Sequence, residues 1–189
     1  MKAQIGVTFS WLLIVSILCF FLIILYKEKE LQLPHEAIAK EDVDFEPPTD
    51  LHPTVAEKTE ELVERAADLE IDVVITDDFR SIEKQDSLYD KGRESEGRVV
   101  TNAKGGESYH NYGLAIDFAL RKENGDVIWD LEYDGNQNGE SDWMEVVSIA
   151  KDLGFTWGGD WKGFRDYPHL QMDFGYSINE LQRGKYPSH

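Results

Sequence analysis

Ser108-Tyr-His110-Asn-Tyr-Gly113-Leu-Ala-Ile-Asp117 is the stretch on which the reading of the fold turns. From Gly113 onward (GLAIDFA, 113–119) apolar residues alternate, which predicts a strand. Successive strand side chains point to opposite faces, so Leu114, Ile116 and Phe118 share one face and Ala115 and Asp117 the other. A second alternating run, PHLQMDF at 168–174, puts Leu170, Met172 and Phe174 on a core face, with His169, Gln171 and Asp173 opposite. Residues 71–76 are β-rich and predict a further strand, and 126–130 (DVIWD) read as strand as well. Helices surround these runs. Thr54-Val-Ala-Glu57 is a capping box ahead of Val55, Thr59, Leu62, Val63, Ala66 and Leu69 at helical spacing. Ser81 heads a helix carrying Ile82, Gln85, Leu88 and Tyr89 and closed by Gly92. Ser141 or Asp142 opens another, with Trp143, Val146, Val147 and Ala150 on one face, and Ser177-Ile-Asn-Glu180 caps a short last helix. Strands and helices do not alternate as βαβ units. The expected class is α+β, a small and mainly antiparallel sheet with flanking helices.

The chain has 189 residues, 41% hydrophobic and 12% aromatic, enough for one domain with a real core. It carries 19 Lys and Arg against 37 Asp and Glu, a net charge of −18 that repels phosphate backbones and argues against a nucleic-acid partner. Cys19 stands alone, so neither an intrachain disulfide nor a cysteine-based zinc cluster can form. Residues 5–26 (IGVTFSWLLIVSILCFFLIILY) contain no charged side chain. As a helix this run rises about 33 Å, enough to cross a bilayer core of about 30 Å. No small-x-small cleavage site follows it before Lys27, and Cys19 lies among large apolar residues, unsuited to lipid attachment. The expectation is therefore residues 1–4 as a short cytoplasmic terminus, 5–26 as a single transmembrane anchor, 27–52 as an acidic tether and 53–189 as the folded domain. Nothing in the sequence indicates an oligomeric state.

Of five histidines, His35 and His52 fall in the tether and His189 is the last residue, leaving His110 and His169 for the domain. His35-Glu36 is followed by Ala39, so the HExxH zinc helix is absent. Strand parity can present His110, Asp117 and His169 together, a donor set suited to Zn²⁺ with one position open. Asp166, three residues before His169, is placed to act as a general base beside such an ion. The alternative is a set of surface groups on strands that are not neighbours.

The Ser-x-His-x(6)-Asp element of 108–117, with Asp166-Tyr-Pro-His169 downstream, resembles the zinc peptidases that cut bacterial cell-wall peptides. These comprise D-Ala-D-Ala carboxypeptidases, vancomycin-resistance dipeptidases and the L-alanyl-D-glutamate endopeptidases of bacilli and phages, and the resemblance is strongest to the endopeptidases. It spans roughly residues 52–183 and includes Arg80-Ser81, LYDKGR at 88–93 and WGGDW at 157–161. It implies the D-Ala-D-Ala peptidase, Hedgehog-like zinc fold, with His110, Asp117 and His169 as zinc ligands, Asp166 as catalytic acid/base and Arg80 as the oxyanion-stabilising cation. An arginine suits that task because charge develops on the carbonyl oxygen during attack, although a surface ion pair would also account for Arg80. Ser108 also matches, as a ligand-bonding hydroxyl or a turn cap. Gln85 is either a residue behind the site or a core-edge amide, and Trp157 and Trp161 either wall the cleft or pack. Residues 77–79, Asp-Asp-Phe, depart from the Gly-Tyr expected ahead of Arg-Ser, which bears on the rim near Arg80. The implied activity is hydrolysis of the peptidoglycan stem peptide at the L-Ala–D-Glu bond, outside the cell. A D-Ala-D-Ala carboxypeptidase and a non-catalytic wall-binding module are the rivals.

One further loop stands out. Asp134, Asn136, Asn138, Gly139, Glu140, Asp142 and Glu145 follow the spacing of a twelve-residue Ca²⁺ loop. Without an entering helix, it reads either as an EF-like site or as an Asn/Gly/Asp-rich turn.

Overall fold

The structure, a computed structural model, describes residues 48–188. The apolar run 5–26 and the tether up to residue 47 lie outside the described residues, among which no helix is long and apolar enough to cross a membrane.

The helix α1, Pro53–Ala67, buries Val55, Thr59, Leu62 and Ala66, the positions its periodicity selects. Its start differs from the expected capping box at Thr54. His52 is the N-cap, its Nδ1 accepting from the Thr54 N–H at 3.2 Å. Pro53 takes the first helical position, where its missing N–H costs nothing and its fixed φ fits the helix. His52 is 1% exposed, so the fold reaches back into the stretch read as tether. Beyond Ala67 the chain turns at Glu70, with φ +62°, and Leu69 is left exposed.

Strand β1, Val73–Asp77, leads to helix α2, Ile82–Asp90, capped by Ser81. A 3₁₀ turn, Tyr109–Tyr112, feeds strand β2, Ala115–Arg121, followed by the short β3, Val127–Ile128. Helix α3, Asp142–Asp152, has Ser141 as its N-cap. Strand β4, Thr156–Trp157, a 3₁₀ turn at Gly158–Asp160, strand β5, His169–Gln171, and helix α4, Ile178–Leu181, complete the described chain. The capping box between Ser177 and Glu180 forms as the sequence predicts.

All strand pairs are antiparallel, in the order β1-β2-β5-β4, with β3 paired to the far end of β2. The class is α+β, as expected. Leu114, Ile116, Phe118 and Leu170 are fully buried against α1 and α3, and the Phe118 and Trp143 rings lie 4.4 Å apart. Each such side chain contributes about 1.5–3 kcal/mol by leaving water. Phe174, expected in this core, is instead 40% exposed, because β5 ends at Gln171 and the chain turns through φ +50° at Phe174. The opposite face of β2 and β5 is left for polar groups.

Candidate metal centre

In the β2–β5 register Asp117 stands directly opposite His169, while Ile116 opposes Leu170 on the core side. Parity that buries the aliphatic pair therefore sends the carboxylate and the imidazole to the other face together. His110 arrives from the 3₁₀ turn. Gly113 ends that turn in the left-handed region, φ +63°, where a Cβ would run into the Asp50 carbonyl oxygen. Only glycine permits so tight an entry into β2.

The three side chains converge. Nε2 of His110 lies 3.2 Å from Nδ1 of His169, and each stands 3.3 and 3.2 Å, respectively, from Oδ1 of Asp117. The outer nitrogens are both engaged with acceptors: His110 Nδ1 donates to the Asp78 carbonyl at 2.7 Å, and His169 Nε2 to Oε1 of Gln171 at 3.0 Å. In neutral rings those bonds fix the tautomers, so the two inner nitrogens offer lone pairs. Three acceptors then face one another with no proton between them, an arrangement that calls for a cation. The donor spacing fits a small ion, since tetrahedral bonds of about 2.0–2.1 Å place donors about 3.3–3.4 Å apart. Among the described residues, this is the group of His, Cys, Asp and Glu side chains placed to share an ion.

The cluster opens into a cleft of about 630 Å³ that is also lined by Arg80, Ser108, Trp161, Phe164 and Asp166. Asp166 is positioned by a close crossing of two segments. Its N–H donates to the Gly158 carbonyl at 3.1 Å, and its own carbonyl accepts from the His169 N–H at 3.3 Å. A Cβ on Gly158 would collide with the Asp166 carbonyl. Burial, reinforced by the negative charge of Asp117, pushes the Asp166 carboxyl above its ordinary value, against the pull of His169, His110 and Arg80. Arg80 is 7% exposed. Its Nε and Nη2 donate to Oδ2 of Asp77 at 3.2 and 2.8 Å, and its Nη1 to Oε1 of Gln85 at 2.7 Å. Nη2 also reaches Oδ2 of Asp117 at 3.5 Å. Four of its five N–H groups are thus engaged.

The sequence of this site has known relatives. The family model described as D-alanyl-D-alanine carboxypeptidase matches residues 101–172, which contain His110, Asp117, Asp166 and His169. Over 129 residues the chain is 64% identical to the peptidoglycan L-alanyl-D-glutamate endopeptidase CwlK of Bacillus subtilis strain 168, covering 68% of this chain and 77% of CwlK. The chain belongs to the D-alanyl-D-alanine carboxypeptidase and L-alanyl-D-glutamate peptidase family. A second family member, the L-alanyl-D-glutamate peptidase of Listeria phage A118, is 35% identical over 115 residues, 60% of this chain and 35% of the phage protein. Among solved structures, the L-Ala D-Glu endopeptidase ChiX of Serratia marcescens superposes with a TM-score of 0.45 at 23% identity, covering 66% of this chain and 81% of that one.

The remaining residues singled out for this family member fall on both sides of their alternatives. Gln85 is fully buried and stands behind the site, bonding Arg80 through Oε1 and the Ala103 carbonyl through Nε2 at 2.7 Å. Ser108 makes no side-chain cap and lines the cleft. Trp161 stands 5.1 Å from the His169 ring and walls the cleft, whereas Trp157 is buried with Nε1 donating to the Tyr167 carbonyl. The 134–145 loop closes on itself. Asp134 accepts from the Asn138 and Gly139 N–H groups, Asn138 from the Glu140 N–H, and Asp142 from the Gly135 N–H. Asn136 and Asn138 turn their amide NH₂ groups toward Glu145, where a Ca²⁺ ion would require their oxygens. Sequence reasoning missed three supports of the centre. Gln171 had a usable signal in its strand parity with His169. Asp77 was marked only as part of the 77–79 stretch at the Arg80 rim, and the Asp78 carbonyl had no signal, because both roles depend on where β1 ends against β2.

Proposed function

We propose that this protein is a zinc peptidase that hydrolyses the stem peptide of peptidoglycan at the L-Ala–D-Glu bond. The observation that carries the reading is the cluster of two imidazole lone pairs and one carboxylate oxygen, 3.2–3.3 Å apart, at the floor of a cleft that also holds Asp166 and Arg80. The 64% identity to the Bacillus endopeptidase supports the choice of bond.

His110, Asp117 and His169 would hold Zn²⁺ at the floor of the cleft. Zinc supplies Lewis-acid polarisation of the scissile carbonyl and lowers the pKa of water to about 7. Asp166 accepts the proton of the attacking water and returns it to the departing amine nitrogen. Its place in the cleft beside the three donors suits both transfers. Arg80 directs its remaining N–H at the carbonyl oxygen as negative charge grows there. The C–N bond breaks, the hydroxyl stays on the alanine carbonyl carbon, and the new amino terminus is D-Glu.

We infer further that the uncharged run 5–26 anchors the chain in the cell membrane with the peptidase domain outside. Its length supports this reading, as does the placement of the substrate. Protease treatment of intact cells is expected to remove the domain and leave the anchor.

Muropeptides incubated with the zinc-loaded protein, with and without chelator, test the activity by mass spectrometry. Fragments beginning with D-Glu, lost on chelation, are the expected result. Release of free D-Ala would identify a carboxypeptidase instead, and an inert protein with a full complement of zinc would identify a wall-binding module.

A further inference from the structure

Asp77, in the Asp-Asp-Phe stretch just ahead of Arg80-Ser81, places a carboxylate against the cleft arginine. Asp77 closes β1 at the point where its register against β2 shifts, so its side chain turns toward the site instead of following the strand alternation. Both of its oxygens are occupied. Oδ2 takes two N–H groups of Arg80, while Oδ1 takes Nζ of Lys84 at 3.0 Å and the Asp78 N–H at 3.1 Å. Lys84 and the backbone therefore fix the carboxylate before it meets the guanidinium.

Arg80 lies between two carboxylates, Asp77 at 2.8 Å and Asp117 at 3.5 Å. These are unequal partners for a reason that matters to the site. Oδ1 of Asp117 faces the two histidines, and Oδ2 is the oxygen nearest Arg80. Without Asp77, the strongest remaining anionic partner of the guanidinium is Asp117, and a charge-assisted fork would form there. That fork would draw the cation down onto the ligand, away from the open cleft, and would withdraw electron density from the donor oxygen. Asp77 supplies the competing fork. Gln85 then completes the plane by taking Nη1.

We propose that Asp77 is a positioning residue, which acts through Arg80 to hold the guanidinium facing the cleft and to limit its contact with the ligand carboxylate to the single long one at 3.5 Å. This rests on the reading of Arg80 and the zinc ligands given above. The test is a double-mutant cycle on the zinc-loaded full chain: Asp77→Asn, Arg80→Ala and the pair. The readouts are kcat and KM on muropeptide, metal analysis, and calorimetric binding of a phosphinate analogue of the L-Ala–D-Glu junction. Asp77→Asn is expected to keep a full equivalent of zinc and a KM within about twofold, while kcat and phosphinate affinity each fall about 10–100-fold. In the Arg80→Ala background the same change is expected to add less than about twofold, since the group it positions is gone. Asp77→Glu is expected to recover part of the loss, and it serves as the test variant if Asp77→Asn does not fold. Equal penalties in both backgrounds, or a wild-type kcat in Asp77→Asn, overturn the inference while leaving the peptidase reading intact. A wild-type protein that cleaves nothing removes both.

Discussion

Asp166 and His110 are separated by what their loss does. The Asp166 carboxylate faces the cleft and makes no bond that holds a ligand in place; its backbone does that through Gly158 and His169. Asp166→Asn keeps that backbone, so it is expected to retain zinc while kcat falls about 10²–10⁴-fold, the usual weight of a general acid/base. His110→Ala removes one of three donors and is expected to lose the metal and with it all turnover. Metal analysis beside initial rates distinguishes the two, and wild-type cleavage by Asp166→Asn would sink the proton-transfer assignment. At this scale the sequence was informative wherever chemistry is carried by a side chain on a regular strand. The facing of Asp117 and His169 away from the core follows from period-two alternation, and the resemblance makes both of them zinc ligands. Asp78 contributes through its carbonyl, which every residue has, so no residue type could mark it.

Between β4 and β5 the chain is held less by apolar burial than by proximity of backbones. The 3₁₀ turn at Gly158 lies against Asp166, and the site requires a residue there with no side chain. Gly158→Ala is expected to push the 166–169 segment outward, moving Asp166 and His169 together. Loss of both zinc affinity and kcat, with a stability cost of roughly 1–3 kcal/mol from overpacking, is the expected outcome. Chelator competition and a denaturant titration measure the two effects, and an unchanged zinc affinity would show that the turn tolerates a methyl group. The elements themselves were mostly legible because their cores are periodic: α1, α2, α3 and β2 fall close to where spacing and caps place them. The shortfalls are local. The start of α1 was set by a histidine cap and a proline rather than by Thr54, and β5 stopped three residues before Phe174 because a left-handed turn intervened.

At the scale of the molecule, the three proposed zinc ligands are drawn from the 3₁₀ turn and two neighbouring strands, so they stand together only in the folded chain. Zinc bound there would add to folding energy. At a hundredfold excess of free metal over its dissociation constant, this amounts to about 2.7 kcal/mol. Stripping the metal is expected to lower the melting temperature by roughly 5–10 °C, followed by circular dichroism with and without chelator; coincident melts would mean that the cluster holds no ion. The antiparallel α+β architecture was readable from the sequence, but the opposition of Asp117 and His169 was not, since pairing is a long-range choice that local pattern leaves open. That opposition also orders events during synthesis. Two of the three donors, His110 and Asp117, leave the ribosome some fifty residues before His169 and Asp166. A nascent or truncated chain can collect a weakly held ion but has neither the third donor nor the acid/base, so hydrolytic competence arrives in one step, when the last strand docks.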